Sequence, residues 1–491
     1  MVDGGHAVDD EGRTGSAIAL RRPARRRRGL HGHLLEEPPD LRGPGHLARA
    51  GAVARDADRG LVHGFSWGCE GGARPAPPVR PRPAGIGRRA YPSRPPLAGL
   101  CRGVPDDRHA LQVELIDALT AVPAAEWDAL GSPDDPFTTH DFLSALEVGG
   151  SVGPGTGWLP QHVLVRRQGR LVGAMPLYLK GHSYGEYIFD WGWAEAARRA
   201  GIRYYPKLVS AVPFTPATGP RLLVDPTLTG SAATEIHRAL LAGAMHLADA
   251  AEASSLHVLF CPEDQRQALE DLGLIGRRTH QYHWTNQGYT DFDHWLSTFR
   301  SRRRKETRRE RRLPAGVQVL DVAGHALSPR QRRAVRDLYE DTCHKRGGHP
   351  YLTEESFSLL WSAPKPGSRV LLAEDGGEVV AMALLFQRGR HLYGRYWGCR
   401  PGYESLHFEL CYHRPIELCI QHGWTRFEAG AQGQHKIKRG LVPAATWSAH
   451  WLAHRGLAAA VAEACRREAH QTVRHMELLA EHGPFRRQDP Q

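Results

Sequence analysis

The residues best suited to chemistry lie in one stretch, Arg395 to Gly440, which reads as strand, loop, helix, strand and a polar run. Glu428 ends the strand TRFEAG and can serve as a base, unless Lys436 or Arg439 pairs with it. A histidine ordinarily titrates near neutral pH, which makes His435 the second candidate base, although a lone histidine in a polar loop is more often a hydrogen-bonding residue. Glu409 and His413 are four apart and share a helical face. That spacing makes an acid/base pair or, more simply, a local ion pair. Gly430 and Gly433 free backbone N–H groups for an oxyanion or a phosphate. Lys436, Lys438 and Arg439 can bind a phosphate or carboxylate, or are simply exposed solubilising charge; Gln432 is a further substrate-binding candidate, and Arg395, Tyr396 and Trp397 lie on the strand that leads in. A polar, glycine-broken run leaving a buried strand is where a rigid scaffold presents reachable groups.

These residues need a scaffold, and the chain supplies one in two similar pieces. Residues 163–181 align without gaps on 370–388, with Val163, Leu164, Gly169, Val172, Ala174, Met175 and Leu177 each matched by the same residue. The tail His182-Ser-Tyr184-Gly185-Glu186-Tyr187 then matches His391-Leu392-Tyr393-Gly394-Arg395-Tyr396. Likeness at this spacing points to duplicated domains. The first copy offers Tyr184, Glu186, Asp190, Trp191 and Lys207 as counterparts for a groove between halves, with Asp190 placed in a buried strand. Helical and strand periods alternate from Leu111 onward, which is a mixed α/β order.

Between the halves runs HWLSTFRSRRRKETRRERR, whose apolar positions stop at Phe299. Read as one helix from His294 to Arg312, it has no apolar face beyond that point and projects into solvent or lies along a polyanion. Arg300–Arg312 carries nine cations and two carboxylates, so Arg302, Arg303, Arg304 and Arg308 are candidate nucleic-acid contacts. The whole-chain charge of +11 is therefore local. It sits in this segment and in residues 1–108, which are rich in Arg, Pro, Gly and Ala and hold no lysine. That composition buries too little apolar surface to order, so disorder is expected. Either it is a basic tail or it comes from a start site assigned too early.

Eight cysteines without a C-x-x-C pair give no zinc ribbon or redox motif, and no metal cluster is expected. There is no G-x-S-x-G, Walker loop or H-E-x-x-H, so esterase, nucleotide hydrolase and zinc protease readings lack support. No apolar run approaches twenty residues, so no membrane insertion is expected, and a cytoplasmic location follows as the expectation.

The segments HSYGEYIFDWGWAEA, YYPKLVSAVPFTPATGPRLL, RYWGC, LHFELCYHRPIELCI and FEAGAQGQHKIKRGLVP resemble the FemAB-like predicted N-acyltransferases, a peptidoglycan biosynthesis and recognition family. The resemblance implies an α/β chain of mixed sheets with two tandem acetyltransferase-like (GNAT) domains and a basic helical arm. The expected divisions are 1–108, 111–290, 291–316 and 317–480. It also implies N-acyl or aminoacyl transfer from acyl-CoA or aminoacyl-tRNA, without a metal, to an amine of a small molecule or cell-wall precursor. The alternative is a non-catalytic module of the same fold that recognises a peptidoglycan precursor or nucleic acid. The wider superfamily's acyl-CoA loop would fall at Arg400–Ser405, where RPGYES keeps one glycine. Pro415 is expected to kink or restart the helix there.

Overall fold

The computed structural model describes residues 18–20, 110–363, 367–431 and 433–486. Their strands form two mixed sheets. The smaller runs Ile18–Leu20, Leu111–Ile116, His162–Arg167, Arg170–Met175, Leu223–Val224. The larger has eleven strands, and its centre positions the candidate residues. There His391–Cys399 pairs parallel with Arg426–Glu428, which pairs antiparallel with Ile275–Thr285, which pairs antiparallel with Val442–Leu452. The chain is thus α/β with mixed sheets.

Pro176 shows how one strand serves both sheets. Arg170–Met175 lies in the small sheet and Tyr178–Lys180 in the large one. A proline without an N–H cannot continue a ladder and sits where the chain changes sheets. Val163, Leu164 and Val165 are buried on one hairpin, as are Leu371, Leu372 and Ala373 on the other.

The two hairpins do share a plan: each turns on two residues, and each has a register shift beside the turn, at Val165/Arg166 and at Ala373/Glu374. The gapless alignment is nevertheless one residue out. Gly169 is the second turn residue in the first copy, whereas Gly376 is the first turn residue in the second. A one-residue slip exchanges the two faces of a strand, so identical letters do not occupy identical faces. The matched Tyr-Gly-x-Tyr tails diverge further: His391–Cys399 is a strand, but residues 182–187 are a loop. Asp190 likewise does not lie in a strand. It precedes helix Trp191–Arg199 as its N-cap residue.

Two further expectations are corrected, and a third, the restart of the helix at Pro415, holds. The basic segment is two helices, Phe292–Ser297 and Ser301–Glu310, not one. Phe299 is fully buried between them, and its ring meets Trp295 and Phe485. The chain must break there to bury that ring while the cations turn outward. Pro415 follows a π turn, Glu409–His413, that leads into helix Arg414–Gln421. The wider turn accommodates a residue that offers no N–H to the carbonyl four back. Finally, Ile18–Leu20 pair parallel with Leu111–Val113, so the expectation of no regular element before residue 108 fails for these three. The rest of that expectation lies outside the described residues.

Candidate functional site

His391–Cys399 and Arg426–Glu428 pair only through His391, Leu392 and Tyr393. Beyond that the two strands part, and a cleft opens in the wedge. Arg395, Tyr396 and Trp397 form one lip, Gly430 and Ala431 the other. Tyr339 and Cys343 come from helix Pro329–Lys345, while Tyr187 and Pro216 come from the first half. The cleft holds about 550 Å³ of empty space, its open mouth included.

Behind the Gly430 lip lies the polar run. Gln434–Arg439 is a short 3-10 helix entered through Gly433, whose φ of 110° belongs to glycine. A side chain at Gly433 would also meet the His435 ring at 2.5 Å. Lys436 is buried, and its Nζ donates to the Gly430 carbonyl at 2.8 Å. Burial pushes that ammonium down to about 7, so it exchanges its proton near neutral pH. His435 Nε2 and the Tyr412 hydroxyl share a hydrogen bond of 2.8 Å. Burial, then the cations Arg439 and Lys436, push this imidazole down to about 4, so it is neutral at pH 7. Lys438 is exposed.

The pairings expected for the acids are replaced by others. Glu428 pairs with neither Lys436 nor Arg439. Its Oε1 lies 3.1 Å from Arg426 Nη2, its Oε2 accepts the Thr218 N–H at 3.2 Å, and His283 Nε2 is 3.7 Å away. Glu409 and His413 do not pair with each other. Glu409 is buried against Arg311, at 3.1 and 3.2 Å, and His413 Nε2 meets Glu310 at 2.9 Å. Arg439 is held by Glu310 at 2.6 and 3.1 Å and lies 3.3 Å above the Phe408 ring. Gln432 is outside the described residues.

The first-half candidates separate into two groups. Lys207 donates to Ser183 at 2.7 Å, to Glu186 at 2.9 Å and to Asp190, while Tyr204 donates to Asp190 at 2.6 Å. All four charged or phenolic groups are buried in this cluster and none lines the cleft. Burial pushes the Asp190 carboxyl up, but Lys207 outweighs it and holds the group ionised, well below its usual range. Tyr184 and Trp191, by contrast, are 59% and 41% exposed and meet edge to face at 5.1 Å.

The basic helix is two-sided. Glu310 and Arg311 plug its C-terminal end into the second half. Arg302 and Arg303 pair with Glu306, Arg304 donates to the Phe299 carbonyl at 3.1 Å, and Arg308 meets Asp293 at 3.3 Å. The four residues singled out from the sequence are thus engaged within the chain. Lys305, Arg309 and Arg312 have no carboxylate partner among the described residues and line one open concavity with Arg302.

A family model described as peptidoglycan biosynthesis/recognition matches residues 118–487. The chain belongs to the FemAB-like family. That membership supports the coarse reading of a peptidoglycan-related transferase. Solved structures similar to this FemAB-like chain include FemX, at 14% identity over 71% of this chain and 100% of that one, with a TM-score of 0.45. A tandem GNAT protein from the clavulanic acid biosynthesis pathway gives 14% identity, 70% and 99% coverage and a TM-score of 0.37. L-PGS from Bacillus licheniformis gives 11%, 71% and 98%, and 0.40. No curated protein matches the chain.

The FemAB-like chain does not present a good diphosphate cradle at Arg400–Ser405. The Gly402 N–H already donates to the Glu404 carboxylate, at 3.1 and 3.2 Å. A phosphate there meets a carboxylate, and the helix it would cap begins as the three-residue turn Glu404–Leu406. Among the described residues no group of three His, Cys, Asp or Glu side chains can hold a metal ion, and no helix is long and apolar enough to cross a membrane.

Sequence reasoning missed Glu310, Tyr412, Thr218, Phe214 and Tyr351. Each acts through tertiary contact with residues far along the chain; all but Tyr351 stand in segments already quoted, but their partners are not local. Phe214 and Tyr351 stack at 4.6 Å beside the cleft. Tyr187 and Phe214 have φ of 63° and 59°, which side-chain-bearing residues rarely adopt. Such strain concentrates at sites that need it.

Proposed function

We propose that the protein transfers an acyl or aminoacyl group from a carrier-linked donor to an amine, with a cell-wall precursor as acceptor and the cytoplasm as its location. The observation that carries this reading is the placement of buried Lys436, hydrogen-bonded to the Gly430 carbonyl, behind the lip of a cleft lined by both halves. In the reaction the amine nitrogen attacks the donor carbonyl carbon. The C–N bond forms, the bond to the carrier breaks (at oxygen for an aminoacyl-tRNA ester, at sulfur for an acyl-CoA thioester), and a proton passes from nitrogen to the departing atom. Lys436, near neutrality, is matched to that proton transfer. The His435–Tyr412 pair does not line the cleft and is read as the tie that holds the Gln434–Arg439 turn behind the lip. Glu428 is read as the anchor that ties Thr218 of the first half to Arg426. Glu409 is read as the anchor of the basic helix.

For the donor, aminoacyl-tRNA is better supported than acyl-CoA. The Arg400–Ser405 loop faces phosphate with a carboxylate, whereas Lys305 and Arg309, four apart on helix Ser301–Glu310, and Arg312 just past its end line one open concavity. The test is to incubate the full chain with charged tRNA or with acyl-CoA and a muropeptide precursor, and to read the acceptor's mass. Acceptor gaining an amino-acid residue from tRNA is the expected result, and Lys436→Met abolishes it. Gain from acyl-CoA alone reverses the donor assignment. Precursor binding without any product favours the recognition module.

A further inference from the structure

One charged group in the cleft is not accounted for by the folded chain. Arg395 is only 6% exposed, yet among the described residues no Asp or Glu pairs with it. Among the described residues its one hydrogen-bond acceptor is the Phe214 carbonyl, met by Nη2. Arg221 shows what a structural buried arginine does in the same protein. It donates to the carbonyls of Ala217, Gly219, Pro220 and Leu259 at 2.7 to 3.1 Å, and Asp135 stands 4.0 Å away. Arg395 uses one donor where Arg221 uses three nitrogens.

The surroundings say which anion fits. Among the described residues no carboxylate lines the cleft, while two arginines, Arg346 and Arg395, do. The Arg395 guanidinium lies against the rings of Tyr396, at 5.1 Å, and Phe137, at 6.0 Å. Aromatic neighbours leave the planar fork its edge, which matches the two oxygens of a carboxylate. Tyr187, Tyr339, Tyr351 and Trp397 supply aromatic wall, with Pro216 and Cys343 among them, and suit the apolar part of a small organic acid. Phe214 holds its carbonyl on Arg395 from a left-handed backbone, and its own N–H donates to Gly185 at 3.2 Å. A buried charge without a partner is costly unless a ligand supplies the counter-charge.

We propose that Arg395 is the anchor of a carboxylate subsite in this cleft, and that its ligand is the C-terminal carboxylate of an amino acid or short peptide. The assignment rests on reading the cleft as the substrate site. It names the end of the substrate held there and leaves open which amine reacts.

Calorimetry on the full chain tests it with N-acetyl-alanyl-alanine, the same dipeptide as its C-terminal amide, and inorganic phosphate. The acid is expected to bind saturably, with the amide at least tenfold weaker and phosphate no better than the amide. Arg395→Met removes the preference for the acid, and its melting temperature does not fall below the wild type's. Arg395→Lys keeps the preference at lower affinity, because it keeps the charge and loses the fork. Equal binding of acid and amide by the wild type overturns the assignment without any variant, as does the absence of binding by the acid. Phosphate binding in preference to the acid makes the group a phosphate anchor and overturns it too. Binding is read without turnover, so its failure leaves the transfer reading standing. An inactive chain that still distinguishes acid from amide leaves the subsite standing.

Discussion

Lys436 is the side chain on which the chemistry and the stability of this protein meet. Its ordinary ammonium pKa is lowered to about 7 because the group is buried. Between about pH 7 and 10.5 the unfolded chain therefore binds more protons than the folded one, and stability rises with pH across that window. Below pH 7 the folded state carries the full penalty of a buried cation, a few kcal/mol at about 1.4 kcal/mol per pKa unit. Lys436→Met is expected to melt above the wild type at pH 6, with the gap closing toward pH 10. Thermal melts at the two pH values check this, and a gap independent of pH would sink it. The substitution acts oppositely on activity: transfer should rise with pH through about 7 in the wild type, and the variant should lose it. Sequence made Lys436, His435 and Gly433 legible as a polar run, because composition and glycine spacing are local. It could not reveal the partners of Glu428 and Glu409. Arg426 is two residues from Glu428, but Thr218 and Arg311 reach these acids from distant parts of the chain.

At the scale of elements, helix Ser301–Glu310 joins a free cationic face to the site. Glu310 fixes Arg439, and Arg439 Nη1 donates to the His435 carbonyl at 2.7 Å. Neutralising Lys305, Arg309 and Arg312 together to Gln should weaken tRNA binding and reduce the slope of log K against log salt by roughly 2 to 3. Filter binding across a salt series reads this, and an unchanged slope removes the helix as the contact. The same substitutions should leave the melting temperature within about 2 °C, since exposed cations without partners contribute little. Glu310→Gln is the contrasting case. It keeps the outer face and breaks the tie to His413 and Arg439, so stability should fall by about 1–3 kcal/mol in chemical denaturation. The run of cations was plain in the sequence, but its division was not. Helix propensity is uniform from His294 to Arg312, and only the burial of Phe299 against Phe485 imposes the break. The hairpin repeat was legible for a related reason: two-residue turns leave a local signature. Its register was not, because the slip between Gly169 and Gly376 depends on pairing across the sheet.

The whole molecule is held together by a strand exchanged between its halves. Ile275–Thr285 precedes the basic helices in the chain, yet it lies between Arg426–Glu428 and Val442–Leu452. Its register brings His283 opposite Glu428 and Tyr282 opposite Pro443. The strand therefore forms part of the floor beneath the polar run. Val442–Leu452 in turn pairs with Ser255–Cys261, and His257 and His450 share a buried hydrogen bond of 2.7 Å between their Nδ1 atoms. A boundary placed near residue 290, the natural reading of a duplicated sequence, cuts the chain where few contacts are local but leaves the sheet incomplete. A fragment beginning at residue 291 has Arg426–Glu428 and Val442–Leu452 with nothing between them, and so exposes unpaired strand edges and the apolar side chains beneath. Expressed alone, it should be insoluble or lack a cooperative melt. Extending its start to residue 274 restores the missing strand and should recover solubility, although Ser255–Cys261 is still absent. Co-expression of residues 110–290 with 291–486 should return a single complex, because the strand can then pair in trans. Size-exclusion chromatography and far-ultraviolet circular dichroism of the three preparations decide the matter. A stably folded 291–486 fragment would show that the second half does not depend on the strand it borrows.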